Sequence, residues 1–87
     1  MLESKIEKDC VKWATINGWQ SFKFVSPSNR GVPDRIFLKQ GNTVFVEFKT
    51  ATGKLSALQS RQIEKIRAND FKVFIIRNLE GFKIAFT

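Results

Sequence analysis

The chain has 87 residues, room for one small domain and no more, and 43% of them are hydrophobic, with nine Phe and two Trp to build a core. Fifteen Lys plus Arg against eight Asp plus Glu leave a net charge of +7, which favours a polyanionic partner, most simply nucleic acid, with solubility alone as the plain alternative that charge by itself does not exclude. One cysteine excludes an internal disulfide, the absence of histidine excludes His-ligated zinc and any His-based triad, and no apolar run approaches the length of a membrane span.

The first predicted element is a helix over about Leu2 to Ile16. At roughly 100° per residue, Leu2, Ile6, Cys10 and Trp13 centre one apolar stripe with Ala14 and Ile16 at its edges, and Asn17-Gly18 is a stop signal. Glu3 falls inside this stripe and Glu7 just past Ala14. A carboxylate in the first turn suits the helix dipole and can stay wet, but an acid among core-facing positions is also placed to reach a functional site. Cys10 reads as core packing, since nothing near it in sequence would activate a thiolate.

Trp19 to Val25 reads as the first strand, followed by a loop, Ser26-Pro27-Ser28-Asn29-Arg30-Gly31. That loop is a surface turn or, with Ser28 and Arg30, an approach to a phosphodiester backbone. Arg35-Ile36-Phe37-Leu38 and Val44-Phe45-Val46 are short apolar runs around Lys39-Gln40-Gly41-Asn42-Thr43, which predicts a hairpin. Alternation along Val44 to Lys49 puts Phe45, Glu47 and Lys49 on one face and Val44, Val46 and Phe48 on the other.

Thr50 to Lys54 forms a second flexible, basic loop, and a helix is predicted from Ser56 to about Asn69. Ser56-Ala57-Leu58-Gln59 matches a capping box. The helical wheel also places Leu55, Gln59, Gln62 and Ile66 together, and glutamines on a core-facing stripe need specific partners, so an active-site role for Gln59 stands beside its role as a cap. Phe71 to Arg77 and Phe82 to Phe86 read as two further strands joined by Asn78-Leu79-Glu80-Gly81, the first of them covered on both faces. The expected fold class is α/β in the order α-β-β-β-α-β-β, a mixed sheet flanked by helices.

In-register pairing of the hairpin brings Asp34 near Glu47. Two carboxylates and the Lys49 ammonium within a few ångströms are costly on a sheet unless a cation neutralises the acids. Asp34 and Glu47 are hard oxygen ligands for Mg²⁺ or Mn²⁺, and Lys49 can orient or deprotonate an attacking water and offset charge building on phosphorus. Taken singly, Asp34 is a turn residue after proline and Glu47 with Lys49 a solvated strand face. The ordered set on one predicted hairpin favours the catalytic reading.

Pro33-Asp34 with Glu47-Phe48-Lys49 resembles the PD-(D/E)xK nuclease superfamily. The fuller string Phe24-Val25-Ser26-Pro27, Gly31-Val32-Pro33-Asp34, Val46-Glu47-Phe48-Lys49 and Leu55-Ser56-Ala57-Leu58-Gln59 is similar to its VRR-NUC branch, from about Glu3 to Asn78. The resemblance implies a restriction-endonuclease-like core, Mg²⁺ or Mn²⁺ as cofactor, and a metal set of Asp34, Glu47, the Phe48 backbone carbonyl and an acid of the first helix. VRR-NUC patterns place that acid nearer Glu3 and junction-resolvase patterns nearer Glu7, with Glu3 preferred here. It further implies catalytic parts for Lys49 and Gln59, branched DNA such as a four-way junction as substrate, and a homodimer. Arg30, Ser28, Lys54 and Arg35 are the expected nucleic-acid contacts.

A non-catalytic DNA-binding module is the main competing function, and a nuclease fold kept as an inhibitor or assembly subunit is a third. The first would place basic rather than acidic residues at the sheet edge, which the retained acids oppose. With no signal peptide at Met1-Leu2-Glu3-Ser4, and no repeat or linker, the expectation is a single domain over residues 1–87 acting in the cytoplasm.

Overall fold

Ile6, Cys10 and Ala14 recur every fourth residue, the spacing that stacks side chains on one helical face, and they form the buried stripe of the first helix, α1 (Glu3–Ile16). Leu2 and Ile16, expected in that stripe, lie outside it in solvent. The helix stops at Asn17, and Gly18 follows with φ of 88°, a left-handed conformation suited to glycine. The computed structural model describes all residues, 1–87. Its next elements are β1 (Gln20–Lys23), β2 (Arg35–Lys39), β3 (Asn42–Phe48), α2 (Ala57–Arg67), β4 (Lys72–Ile76) and α3 (Leu79–Ala85).

The four strands form one sheet in the order β1-β2-β3-β4, with antiparallel β1–β2 and β2–β3 pairs and a parallel β3–β4 pair. A two-residue turn joins β2 to β3, with Gln40 at φ 47° and Gly41 at φ 85°; two successive positive values mark the tight turn whose twist matches its flanking strands. The turn sets the register at Lys39↔Asn42 and Arg35↔Val46. The parallel β3–β4 pair needs a crossover, and α2 supplies it.

One face of the sheet packs on α1 and α3. Phe37, Val44, Val46, Phe48 and Ile76 point into this core and meet Ile6, Cys10, Ala14, Phe82 and Phe86. Phe82 and Phe86 stack with ring centroids 4.0 Å apart, and Phe37 lies edge-on to both at 5.3 and 5.2 Å. Full burial of each Phe contributes about 1.5–3 kcal/mol, so this cluster is the main anchor of the fold. On the other face α2 packs on β4, where Ile63 and Val73 are buried.

The mixed sheet with flanking helices agrees with the expected fold class, but the last element is a helix, not a strand. Phe82-Lys83-Ile84-Ala85-Phe86 alternates like a strand, yet Ile84 is 81% exposed while Leu79, Phe82 and Phe86 turn to the core at helical spacing. Asn78 settles the competition: its side-chain Oδ1 accepts the Gly81 N–H at 2.7 Å and caps α3.

Candidate active site

Extending the β2–β3 register by one residue beyond Arg35↔Val46 sets Asp34 opposite Glu47, and both side chains leave the sheet on the α2 side. Pro33 is fully buried and fixes the entry to β2. The Asp34 carboxylate oxygen Oδ2 accepts the Phe48 N–H at 2.8 Å, which ties the acid to the end of β3. Its main-chain carbonyl accepts the Phe24 N–H at 2.9 Å.

Glu47 is only 3% exposed. Its Oε2 accepts the Gln59 Nε2–H at 3.2 Å and lies 3.8 Å from the Lys49 ammonium. Burial, reinforced by the charge of Asp34 and opposed by Lys49, pushes the Glu47 carboxyl up to about 7. Burial also raises Asp34 above the usual aspartate value, against the Phe48 N–H that favours its charge. Two neighbouring acids that both resist ionisation form a site that gains from a cation.

Gln59 spans the corner. Its Oε1 accepts the Ser56 N–H at 2.9 Å and its own N–H donates to Ser56 Oγ at 3.0 Å, completing the capping box, while its Nε2 reaches Glu47. Cap and contact with Glu47 are thus made by one side chain at once. Gln62 is half-buried and makes no side-chain hydrogen bond.

Glu7, on the α1 side, accepts from Arg35 Nε at 2.6 Å and from Lys23 at 2.9 Å. Burial works against its charge, but these two cations outweigh it and hold the carboxyl below the usual glutamate value. Glu3 is exposed in the first turn of α1, and no group of three or more His, Cys, Asp or Glu is gathered anywhere in the chain. The two helix acids therefore act on Asp34 and Glu47 through space and do not complete a carboxylate trio. Arg35, expected as a nucleic-acid contact, is 19% exposed and donates to Ser21 as well as Glu7, so its guanidinium is engaged inside the protein. Ser28, Arg30 and Lys54 are exposed on the two loops flanking the acids.

The donor set fits a small hard cation. Asp34 Oδ1 and Glu47 Oε1 take no hydrogen bond from the protein, and two carboxylates, with further positions left for water or backbone oxygen, are the usual protein share of a Mg²⁺ site.

No family model matches the chain. Over 75 residues it is 37% identical to the "Putative nuclease p44" of Acyrthosiphon pisum secondary endosymbiont phage 1, spanning 85% of this chain and 81% of the phage protein. The chain belongs to that phage nuclease family. Its fold is the VRR_NUC fold: a solved VRR_NUC domain superposes with a TM-score of 0.89 at 23% identity, covering 97% of this chain and 92% of its own. A second VRR_NUC domain protein gives 0.73 at 15% identity, covering 98% of this chain and 85% of its own. Hjc, a Holliday junction resolvase of Archaeoglobus fulgidus, gives 0.66 at 16%, covering 86% and 67%. At these identities the likeness to the solved structures is one of fold.

Two supports of the corner in this VRR_NUC fold were not legible in the sequence. Arg77 Nη1 donates to the carbonyls of Thr50 at 2.7 Å and Gly53 at 2.6 Å, closing the loop that follows Lys49. A Cβ on Gly53 would lie 3.5 Å from Lys49 Cδ, so the lysine stem runs along that closed loop. Extending the parallel register one residue beyond Phe48↔Ile76 sets Lys49 beside Arg77, and the Arg77 side chain is turned to the loop carbonyls. Only the strand pairing reveals this. The second support is Gly31, at φ 85°, where an added Cβ would sit 3.0 Å from the Leu58 carbonyl carbon and 3.1 Å from the Gln59 nitrogen. The glycine ahead of Val-Pro-Asp lets the Asp34 strand approach the first turn of α2.

Proposed function

We propose that this VRR_NUC-fold chain is a divalent-metal-dependent endodeoxyribonuclease that cuts branched DNA, four-way junctions first among them, as a homodimer inside the cell. One observation carries the reading: Asp34, Glu47, Lys49 and Gln59 meet at one corner, with both acids pushed toward their neutral forms. Asp34 and Glu47, with the Phe48 carbonyl, would hold Mg²⁺ or Mn²⁺. When bound, such a cation polarises a phosphate oxygen and makes a water more acidic.

The chain's own residues do the rest. Gln59 holds Glu47 Oε2 in place and leaves Oε1 free. Lys49 presents an ammonium to the phosphate, where it orients the attacking water and offsets negative charge on the non-bridging oxygens. Water adds to phosphorus, the bond to the leaving ester oxygen breaks in line, and a proton ends on that oxygen. Arg30, Ser28 and Lys54 on the flanking loops, with the net charge of +7, supply backbone contacts. The branched substrate is supported by the fold shared with a junction resolvase and by the small size of the chain.

The deciding assay incubates labelled junction, flap and linear duplex with Mg²⁺, Mn²⁺ or EDTA. Cutting that needs metal, is strongest on the junction, and is abolished in Asp34→Asn, Glu47→Gln and Lys49→Ala with binding retained is the expected outcome. Undiminished cutting by folded Glu47→Gln protein would overturn the reading.

A further inference from the structure

A cavity of about 580 Å³ opens at the far end of the sheet from the acids, within the range of about 300–1,000 Å³ usual for small-molecule sites. It reaches the start of β3 at Asn42, five residues before Glu47, which is about 17 Å along the strand. It also lies on the other face: Val44, Lys72 and Phe74 line it, and strand alternation sends these to the side of α1 and α3, whereas Glu47 leaves on the side of α2. No step of the proposed cleavage uses this end of the chain.

The lining combines aromatic surface with fixed positive charge. Trp19 and Phe74 flank Phe86, with ring centroids 4.9 and 6.0 Å from it. Lys39 is held in place, donating to the Asn17 carbonyl at 2.8 Å with its ammonium 5.8 Å from the centre of the Trp19 ring. Lys72 is exposed, and neither lysine is in an ion pair. Asp70 is the one carboxylate side chain on the lining. Trp19 carries a further oddity: its indole Nε1–H is buried without an acceptor in the protein, an arrangement native folds rarely keep without a reason.

We propose that this cavity binds a nucleotide, with the phosphate at Lys39 and Lys72 and the base against the aromatic wall. Two ammonium groups with no acid paired to them attract a phosphate, and aromatic walls beside cations are the combination that accommodates a base with its phosphate. A bare anion would use the lysines alone. A base also brings ring nitrogens that can accept the Trp19 N–H and an exocyclic amine that Asp70 can accept. The nucleotide is either free or part of a DNA strand. Only the second source rests on the cleavage reading, because the cavity lies apart from the acid corner.

The test is proton–nitrogen NMR of the folded full chain in EDTA, titrated separately with deoxyadenosine monophosphate, a short oligodeoxyadenosine and inorganic phosphate. The two indole N–H signals are told apart with Trp13→Phe. The Trp19 indole signal is expected to shift to saturation with the mononucleotide, and Lys39→Ala and Lys72→Ala to weaken that binding roughly threefold to tenfold each. Should Lys39→Ala fail to fold, Lys72→Ala reads the same site from an exposed position. A response to the oligomer alone assigns the strand as the source and keeps the site. Inorganic phosphate saturating the signal as readily as the nucleotide overturns the base. A Trp19 signal unmoved in every arm, or folded lysine variants that bind as wild type does, overturns the site, and none of these results depends on whether the chain cuts DNA.

Discussion

Gln59 donates from Nε2 to Glu47 while its Oε1 caps the first turn of its own helix, so one amide links the start of α2 to the acid on β3. The two jobs can be separated. Ser56→Ala removes the Oγ half of the capping box, leaves the Ser56 N–H on Gln59 Oε1, and should cost about 1 kcal/mol with cleavage near wild type. Gln59→Ala keeps its own N–H on Ser56 Oγ but removes the Oε1 half of the box and the Glu47 contact; it should cost a similar amount, yet lower kcat at least tenfold. Urea melts with single-turnover cleavage distinguish the two; equal kcat losses would show that the cap alone matters.

Gly31→Ala tests the close approach of the Asp34 strand to α2. The new Cβ meets main-chain atoms of Leu58 and Gln59, which cannot swing aside, at a positive φ that costs an L-residue roughly 1–2 kcal/mol. We expect a loss of at least that size in urea melts, together with a fall in cleavage that Leu58→Ala only partly relieves, because the carbonyl carbon and the nitrogen remain.

Glu47 sets a pH dependence. Its carboxyl titrates near 7 in the folded chain against 4.5 when unperturbed, so between these values the folded state holds the extra proton and metal-free stability falls as pH rises. The whole span corresponds to at most about 3 kcal/mol. Thermal melts in EDTA should decline from pH 4.5 through 7, Glu47→Gln should flatten the decline, and Mg²⁺ affinity should climb over the same range as the carboxylate ionises.

Arg77 holds the loop along which the Lys49 stem runs. Arg77→Met deletes two hydrogen bonds from a charged donor to main-chain carbonyls and should lower kcat with little change in KM or in metal affinity. Arg77→Lys should recover part of the loss. Steady-state kinetics on the junction measure the split, and a change confined to KM would place Arg77 on the DNA instead.

Salt dependence sorts the cations. Arg30→Ala and Lys54→Ala should each lower the slope of log affinity against log salt by about 1, the signature of one lost phosphate contact. Arg35→Ala should leave that slope unchanged and destabilise the fold, because it strips Glu7 of its closest partner.

The hairpin, its alternation and the Asp34–Glu47 approach were legible because each depends on neighbours in sequence: a two-residue turn sets the register, and the register sets the faces. Gln59 was legible as a residue in demand from two sides, though not as one serving both. The helix Leu79–Ala85 was hidden because Phe82, Ile84 and Phe86, large apolar side chains at every second position, satisfy the strand period until Asn78 is seen to cap the helix. Glu7 was hidden for another reason: its partners Arg35 and Lys23 lie 28 and 16 residues away, and only the antiparallel β1–β2 pair brings them together. Arg77 depends on the parallel pairing of β3 with β4, the least local contact in the sheet.

That parallel pairing also bears on the order in which the corner is assembled. Asp34 and Glu47 come together when a tight turn closes, an event of microseconds, whereas Gln59 arrives with a crossover that must first close a loop of more than twenty residues. A refolding chain should therefore carry its mutually repelling acids before it carries the amide that steadies one of them, and recovery of cutting should lag behind recovery of the hairpin.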